Sequence, residues 1–299
     1  MKNSRWYIEQ TSEDEILCHS LKEIIYSGKS PYQRIEIIQA GNFGKCLFLD
    51  GRMQSAEADE FIYHEALVHP VMLLSDSAKR VLIAGGGEGA TLREVLKHPV
   101  EEVVMVDLDE TVIRISQEYL PEWSMRAFED PRVKLIIDDA RAYIEKTSRY
   151  FDVVIIDLPE PEDEGPAFLL YTKEFYEKVK ECLKENGMMV TQSASASLIN
   201  LKVFSSIIRT LREVFPYVKP YIAYIPSFFS PWGFTIASKR KDPGKAEEAL
   251  NEKLSFIERK LRFYDLESHK SMFSLPKHIR TVIENRGVVI SDNSPLSFY

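Results

Sequence analysis

Residues 81–98 read VLIAGGGEGATLREVLKH: a short apolar run, then Gly85, Gly86, Gly87 and Gly89 around Glu88, then an amphipathic segment. This is strand, turn and helix, and the missing side chains in the turn let a ligand approach the backbone and the helix N-terminus. Alone the signal is weak. It sharpens because VVMVD at 103–107 ends in Asp107, 20 residues after Gly87, where a carboxylate can take both ribose hydroxyls of a nucleoside.

Working outward, apolar runs alternate with amphipathic segments. RVLIAG, VVMVD, VKLII, DVVIID and MMVTQ read as strands, with helices near 90–98, 110–119, 140–147, 172–184 and 200–214. Such alternation predicts an α/β fold with a doubly wound, mostly parallel sheet and ligands at the carboxyl ends of its strands. Before residue 60 the pattern is different: YQRIEIIQA, KCLFLD and RMQSA are separated by the turn signals Gly41-Asn42 and Asp50-Gly51. We therefore expect a small antiparallel β domain over 1–60 and the larger catalytic domain over 61–299. EFIYHEALVHPVMLL at the junction predicts a helix ending near Pro70. After a last strand GFTIAS, residues 239–253 read as a charged surface segment.

The chain has 299 residues, 44% of them hydrophobic, which suffices for a large core. No stretch approaches the roughly 20 apolar residues of a membrane span, and MKNSRWYIEQ lacks the apolar core of a signal peptide. The expectation is a cytoplasmic protein with no membrane partner. Cys18, Cys46 and Cys182 have neither disulfide-framework nor zinc-knuckle spacing and read as packing residues. A net charge of -8 disfavours nucleic acid as a partner and suits cationic small molecules.

Glu88 is the informative residue of the turn. A carboxylate or pyrophosphate bound at these backbone N–H groups would be repelled by it, and an ammonium group would be stabilised. Asp138-Asp139-Ala140 ends the third strand. An acid there can accept from an adenine amino group, or can simply cap the following helix. The run from Asp157 through Glu160, Glu162, Asp163 and Glu164 puts acid at the end of an apolar strand. No metal site is expected: His64 and His69 are five apart, about 140° around a helix, and the other histidines form no cluster.

PYQRIEI, LDGRMQSAEADEFIYHE, GGGEGATLREVLKH, MVDLDE, DDARAY, VVIIDLPEP, GPAFLLYTKEFY and MFSLPK together resemble the spermidine synthase family of polyamine aminopropyltransferases. The resemblance runs over nearly the whole chain, in the family's order and spacing. It implies an N-terminal strand domain joined to a methyltransferase-like Rossmann domain, in a homodimer or homotetramer. It also implies transfer of an aminopropyl group from decarboxylated S-adenosylmethionine, a co-substrate and not a cofactor, to an amine, leaving methylthioadenosine.

By the same resemblance Gln33, Gly85, Gly87, Asp107, Asp139, Ala140 and Pro166 hold the donor and methylthioadenosine. His64, Glu88, Glu160, Phe228 and Trp232 face the polyamine, and Tyr63 and Asp157 prepare the nucleophile. The chemistry suits these roles, because a primary amine arrives protonated and only its free base can attack carbon. Asp157 can orient the amine and accept its proton. Glu160 stands where the family commonly has aspartate, and the acidic loop before Gly165 is long. GRMQSAEADEFIYHE and YIPSFFSPWGF look like thermospermine synthases. The acceptor therefore stays open among putrescine, agmatine, cadaverine and spermidine, with a lean toward a triamine. The alternatives are a plain putrescine-specific spermidine synthase and, less well supported because of Glu88, a methyltransferase using intact S-adenosylmethionine. A non-catalytic binding relative is disfavoured by Tyr63, Glu88 and Asp157.

Overall fold

The computed structural model describes residues 5–12, 14–161, 165, 167–245 and 247–296. Five antiparallel strands come first, β1 (Arg5–Gln10), β2 (Ile16–Lys29), β3 (Arg34–Ala40), β4 (Gly44–Leu49) and β5 (Arg52–Ala56), paired in chain order. The last three follow the sequence pattern. The first two went unpredicted because β2 carries Lys22, Glu23 and Lys29 on a half-exposed ribbon with little apolar alternation. Of the cysteines, Cys46 and Cys182 are buried packing residues, but Cys18 on β2 is exposed, which corrects its reading.

The second sheet has seven strands: β6 (Arg80–Gly85), β7 (Glu102–Asp107), β8 (Val133–Ile137), β9 (Phe151–Asp157), β10 (Leu183–Ser195), β11 (Tyr217–Ile225) and β12 (Ser230–Ser238). Their spatial order is β11-β12-β10-β9-β6-β7-β8, with parallel pairing from β10 to β8 and antiparallel pairing at β12 and β11. Val153 to Ile156 are fully buried, because helices cover both faces, and this is why β9 reads as an unbroken apolar run. Chain direction across the sheet reverses between β6 and β9. Their carboxyl ends form the crevice where such sheets bind ligands.

The helices that position the site are α1 (Glu60–Leu74), α2 (Ala90–Leu96) and α3 (Glu110–Tyr119). Helix α1 does not end near Pro70 but runs through it to Leu74. Proline lacks the N–H that would satisfy the Ala66 carbonyl. The buried Tyr221 hydroxyl donates to that carbonyl at 2.9 Å, so the helix continues without an orphaned acceptor. The charged segment at 239–253 also differs from its surface reading, since Leu250 buries in the core where its helix packs on α1. Among the described residues no helix is long and apolar enough to cross a membrane.

Candidate active site

Strand pairing sets Gly85 beside Asp157, so the glycine turn and the catalytic candidate share one strand end. Gly85 has φ +83° and a Cβ there would lie 2.2 Å from the Asp157 carbonyl oxygen, so glycine is required on both conformational and steric grounds. The Gly86 N–H donates to that carbonyl at 2.9 Å and closes the turn. Above it lies a cavity of about 130 Å³, lined by the glycine turn, Tyr63, His64, Asp107, Asp139 and Asp157.

Asp157 is held from two sides. Tyr63, on α1, donates to Oδ1 at 2.9 Å, and Thr91, in the first turn of α2, donates to Oδ2 at 2.6 Å. Burial raises the Asp157 carboxyl above its ordinary value, while the positive His64 and the Thr91 hydrogen bond pull the other way. Burial, then the neighbouring Asp157, pushes the Tyr63 phenol well up, so it is a neutral donor. Thr91 was missed in the sequence, where it looks like an ordinary helix residue.

At the opposite wall, Asp107 ends β7 and accepts from the Asp109 N–H at 2.9 Å. Burial lifts its carboxyl to about 6. Asp109 caps α3 by accepting from Thr111 and Val112, and its other oxygen accepts from the Gln33 amide at 2.9 Å and from the Ser30 hydroxyl at 2.5 Å. Gln33 is thereby carried from the N-terminal sheet to the cavity wall. Asp139 caps the helix Ala140–Glu145 by accepting from the Arg141 and Ala142 N–H groups, and it lines the cavity beside Ala140 as well. Pro166, with Glu162, Asp163 and Glu164, lies outside the described residues.

Glu88 is buried, and both its oxygens are engaged: Oε1 by His64 Nε2 at 2.7 Å and Oε2 by the Ser55 hydroxyl at 2.6 Å. Past Tyr63 and Pro159 the space opens into a second cavity of about 830 Å³, lined in part by Glu160, Gln192, Phe228 and Trp232. The Phe228 and Trp232 rings meet edge to face at 4.8 Å, and the buried Trp232 Nε1 has no hydrogen-bond partner among the described residues. Tyr171 donates to the Leu158 and Pro159 carbonyls, and Gln192 donates to the Leu158 carbonyl at 2.9 Å, which fixes the segment after Asp157. Ser55 and Gln192 join Thr91 as site residues not singled out from the sequence, although Ser55 and Thr91 lie inside the quoted motifs.

The sequence profile of the spermine/spermidine synthase domain matches residues 60–247, and that of the spermidine synthase tetramerisation domain matches residues 5–57. The polyamine aminopropyltransferase of Sulfurisphaera tokodaii is 45% identical over 295 residues, covering 98% of this chain and 97% of the relative. That of Aeropyrum pernix is 46% identical over 287 residues, covering 93% and 90%. A spermidine synthase crystallised with the transition-state analogue AdoDATO superposes with a TM-score of 0.89 at 34% identity, covering 95% of this chain and 96% of that one. The spermidine synthase of Thermotoga maritima gives 0.86 at 33%, covering 95% of each chain.

Proposed function

The chain belongs to the spermine/spermidine synthase family and is a polyamine aminopropyltransferase, and from that premise we propose that its donor is decarboxylated S-adenosylmethionine and that it uses a triamine acceptor at least as well as putrescine. One observation carries the donor. The first cavity is lined by five carboxylates, Glu88, Asp107, Asp109, Asp139 and Asp157, and among its described lining residues there is neither lysine nor arginine. A donor bearing a sulfonium and an ammonium matches that wall. Intact S-adenosylmethionine adds a carboxylate that would stand unpaired against Glu88 in a poorly solvated space.

The mechanism follows from the held geometry. The acceptor nitrogen forms a bond to the carbon beside sulfur as the carbon–sulfur bond breaks, and the electron pair stays on sulfur as the thioether of methylthioadenosine. Asp157 hydrogen-bonds the incoming amine, turns its lone pair toward that carbon and takes the proton, which passes to solvent. Its raised proton affinity suits this task. Tyr63 and Thr91 keep the carboxylate in place, and alignment of two bound reactants can lower the barrier by several kcal/mol, up to roughly 7–11. Gln33, Asp107, Asp139 and Ala140 hold the nucleoside, whereas Glu160, Phe228 and Trp232 line the acceptor's path. The donor is consumed as a substrate and no cofactor is invoked. The tetramerisation-domain match supports a homo-oligomer.

The test is incubation with decarboxylated or intact donor and each of putrescine, agmatine, cadaverine and spermidine in turn. Products are identified by mass and retention time, because spermine and thermospermine are isomers. Turnover only with the intact donor would replace this reading with a methyltransferase.

A further inference from the structure

By resemblance His64 is expected to face the amines of the polyamine, and accepting a hydrogen bond from one would need a lone pair on its ring. Nδ1 lies 2.7 Å from the Glu60 backbone carbonyl and 3.1 Å from Glu60 Oε2, and Nε2 lies 2.7 Å from Glu88 Oε1. A carbonyl only accepts, so Nδ1 carries a proton. A carboxylate accepts as well, so Nε2 carries the second. The ring is then an imidazolium with no lone pair left for an amine.

Behind it the charges alternate. Arg93, on α2 and outside the cavity lining, donates to both Glu60 oxygens, at 3.2 and 2.8 Å, and is itself anchored on the Trp123 carbonyl at 2.7 Å and Glu94 at 2.8 Å. The row Arg93, Glu60, His64, Glu88 thus runs plus, minus, plus, minus from the helix interior to the cavity wall. We propose that His64 is a positioning residue and not an amine ligand: a fixed imidazolium, held from behind by Glu60 and Arg93, that locks Glu88 in the orientation that receives the donor's ammonium group. The inference rests on the proposed donor. The charged and titratable groups arranged around it are Glu60 and Tyr63 from α1, Glu88 from the glycine turn, Arg93 from α2 behind Glu60, and Asp157 from the end of β9, with buried Asp59 beyond Glu60. Burial opposes the charge on His64, but the hydrogen bonds it donates to Glu60 and Glu88 outweigh it and push the ring up to about 10.

The experiment is Glu60→Gln, which keeps the side-chain shape and its acceptor for Arg93 but removes the charge behind His64. The His64 ionisation then falls into the assay range. Once the ring is neutral its single proton stays on Nδ1, donated to the residue-60 backbone carbonyl, and Glu88 loses the hydrogen bond from His64 and keeps only the one from Ser55. The ratio of variant to wild-type KM for decarboxylated donor should climb at least about tenfold between about pH 7 and pH 9, with the ratio of kcat values moving far less. A flat KM ratio overturns the inference. Wild-type turnover of decarboxylated donor is the control: if it is absent the donor assignment fails and the inference with it, and if it is present beside a flat ratio the inference alone fails. Histidine-selective ¹⁵N labelling of the wild type needs no variant to fold. At about pH 8.5, well above the ordinary histidine range, at least one of the six rings must show both nitrogens protonated, and none doing so also overturns the proposal.

Discussion

The Tyr63 hydroxyl, from the helix that follows the N-terminal sheet, donates to Asp157 Oδ1 at 2.9 Å across 94 positions of chain. Two elements distant in sequence therefore meet at the one carboxylate that ends the central strand. Because Thr91 holds the other oxygen, the carboxylate is fixed at the cavity wall, and each oxygen keeps a lone pair for a further donor. An acid at the end of this strand suits a cationic substrate.

Asp157→Asn keeps the size of the side chain and can still accept from Tyr63, so the fold and nucleoside binding should persist. An amide neither stabilises the ammonium nor takes its proton, and kcat should fall by about 10²–10⁴-fold. Thermal melting and methylthioadenosine binding, measured beside turnover, separate this from misfolding. Activity within a few-fold of wild type would remove Asp157 from the mechanism.

Asp107 carries a conflict between stability and binding. Burial raises its carboxyl from 3.8 to about 6, so the ligand-free fold prefers the protonated form. The stability this contributes is complete below the unfolded value, near 3.9, and is lost as pH rises through about 6. At neutral pH the ionised group costs stability, about 1–2 kcal/mol after allowing for the water that reaches it. Asp107→Asn should therefore raise the denaturation midpoint of the ligand-free protein at pH 8 more than at pH 5, while weakening donor binding at both. Paired denaturant titrations and calorimetric donor binding check the two signs; equal stabilisation at both pH values would refute the burial argument.

Tyr221→Phe isolates the device that carries α1 through its proline. The ring stays packed, but the Ala66 carbonyl loses its donor inside the core. A buried acceptor left unpaired costs about 1–3 kcal/mol. The melting temperature should drop by several degrees with kcat/KM of the folded protein little changed, since the lesion lies away from the site. Unchanged melting would mean that water satisfies Ala66 instead.

This proline shows where sequence reasoning stopped. The parallel sheet was legible because strands covered on both faces are apolar throughout, and the glycine turn because Gly85 has no substitute beside Asp157. The stop at Pro70 was inferred from local rules, and a tyrosine 151 positions away overrode them. Thr91, Ser55 and Gln192 were invisible for the same reason. Each is an ordinary polar residue whose value comes from a partner in another element, Asp157, Glu88 and the Leu158 carbonyl respectively. Strands β1 and β2 hid because an exposed ribbon needs no apolar alternation.

The acceptor prediction turns on the shape of the second cavity. A space of about 830 Å³ beyond Tyr63 is larger than a diamine fills, and its walls set Glu9, Asp14, Glu15, Asp50 and Glu160 against a single described cation, Arg52. Glu9 is already committed, to His19 at 2.8 Å and the Met53 N–H at 2.9 Å, so it supplies background charge more than a free acceptor. Phe228 and Trp232 give the methylene segments an apolar wall, on which a passing ammonium gains from the ring faces as well. A third amine therefore finds both room and negative potential, and one charge-assisted hydrogen bond in this partly dry channel adds about 1.5–3 kcal/mol, about 10- to 150-fold in selectivity. We expect kcat/KM for spermidine to equal or exceed that for putrescine. Trp232→Ala should narrow the gap by raising the KM for spermidine more than for putrescine, because the shorter amine ends before that wall. If putrescine is preferred tenfold or more, the far cavity is not an acceptor site and the enzyme is a putrescine-specific spermidine synthase.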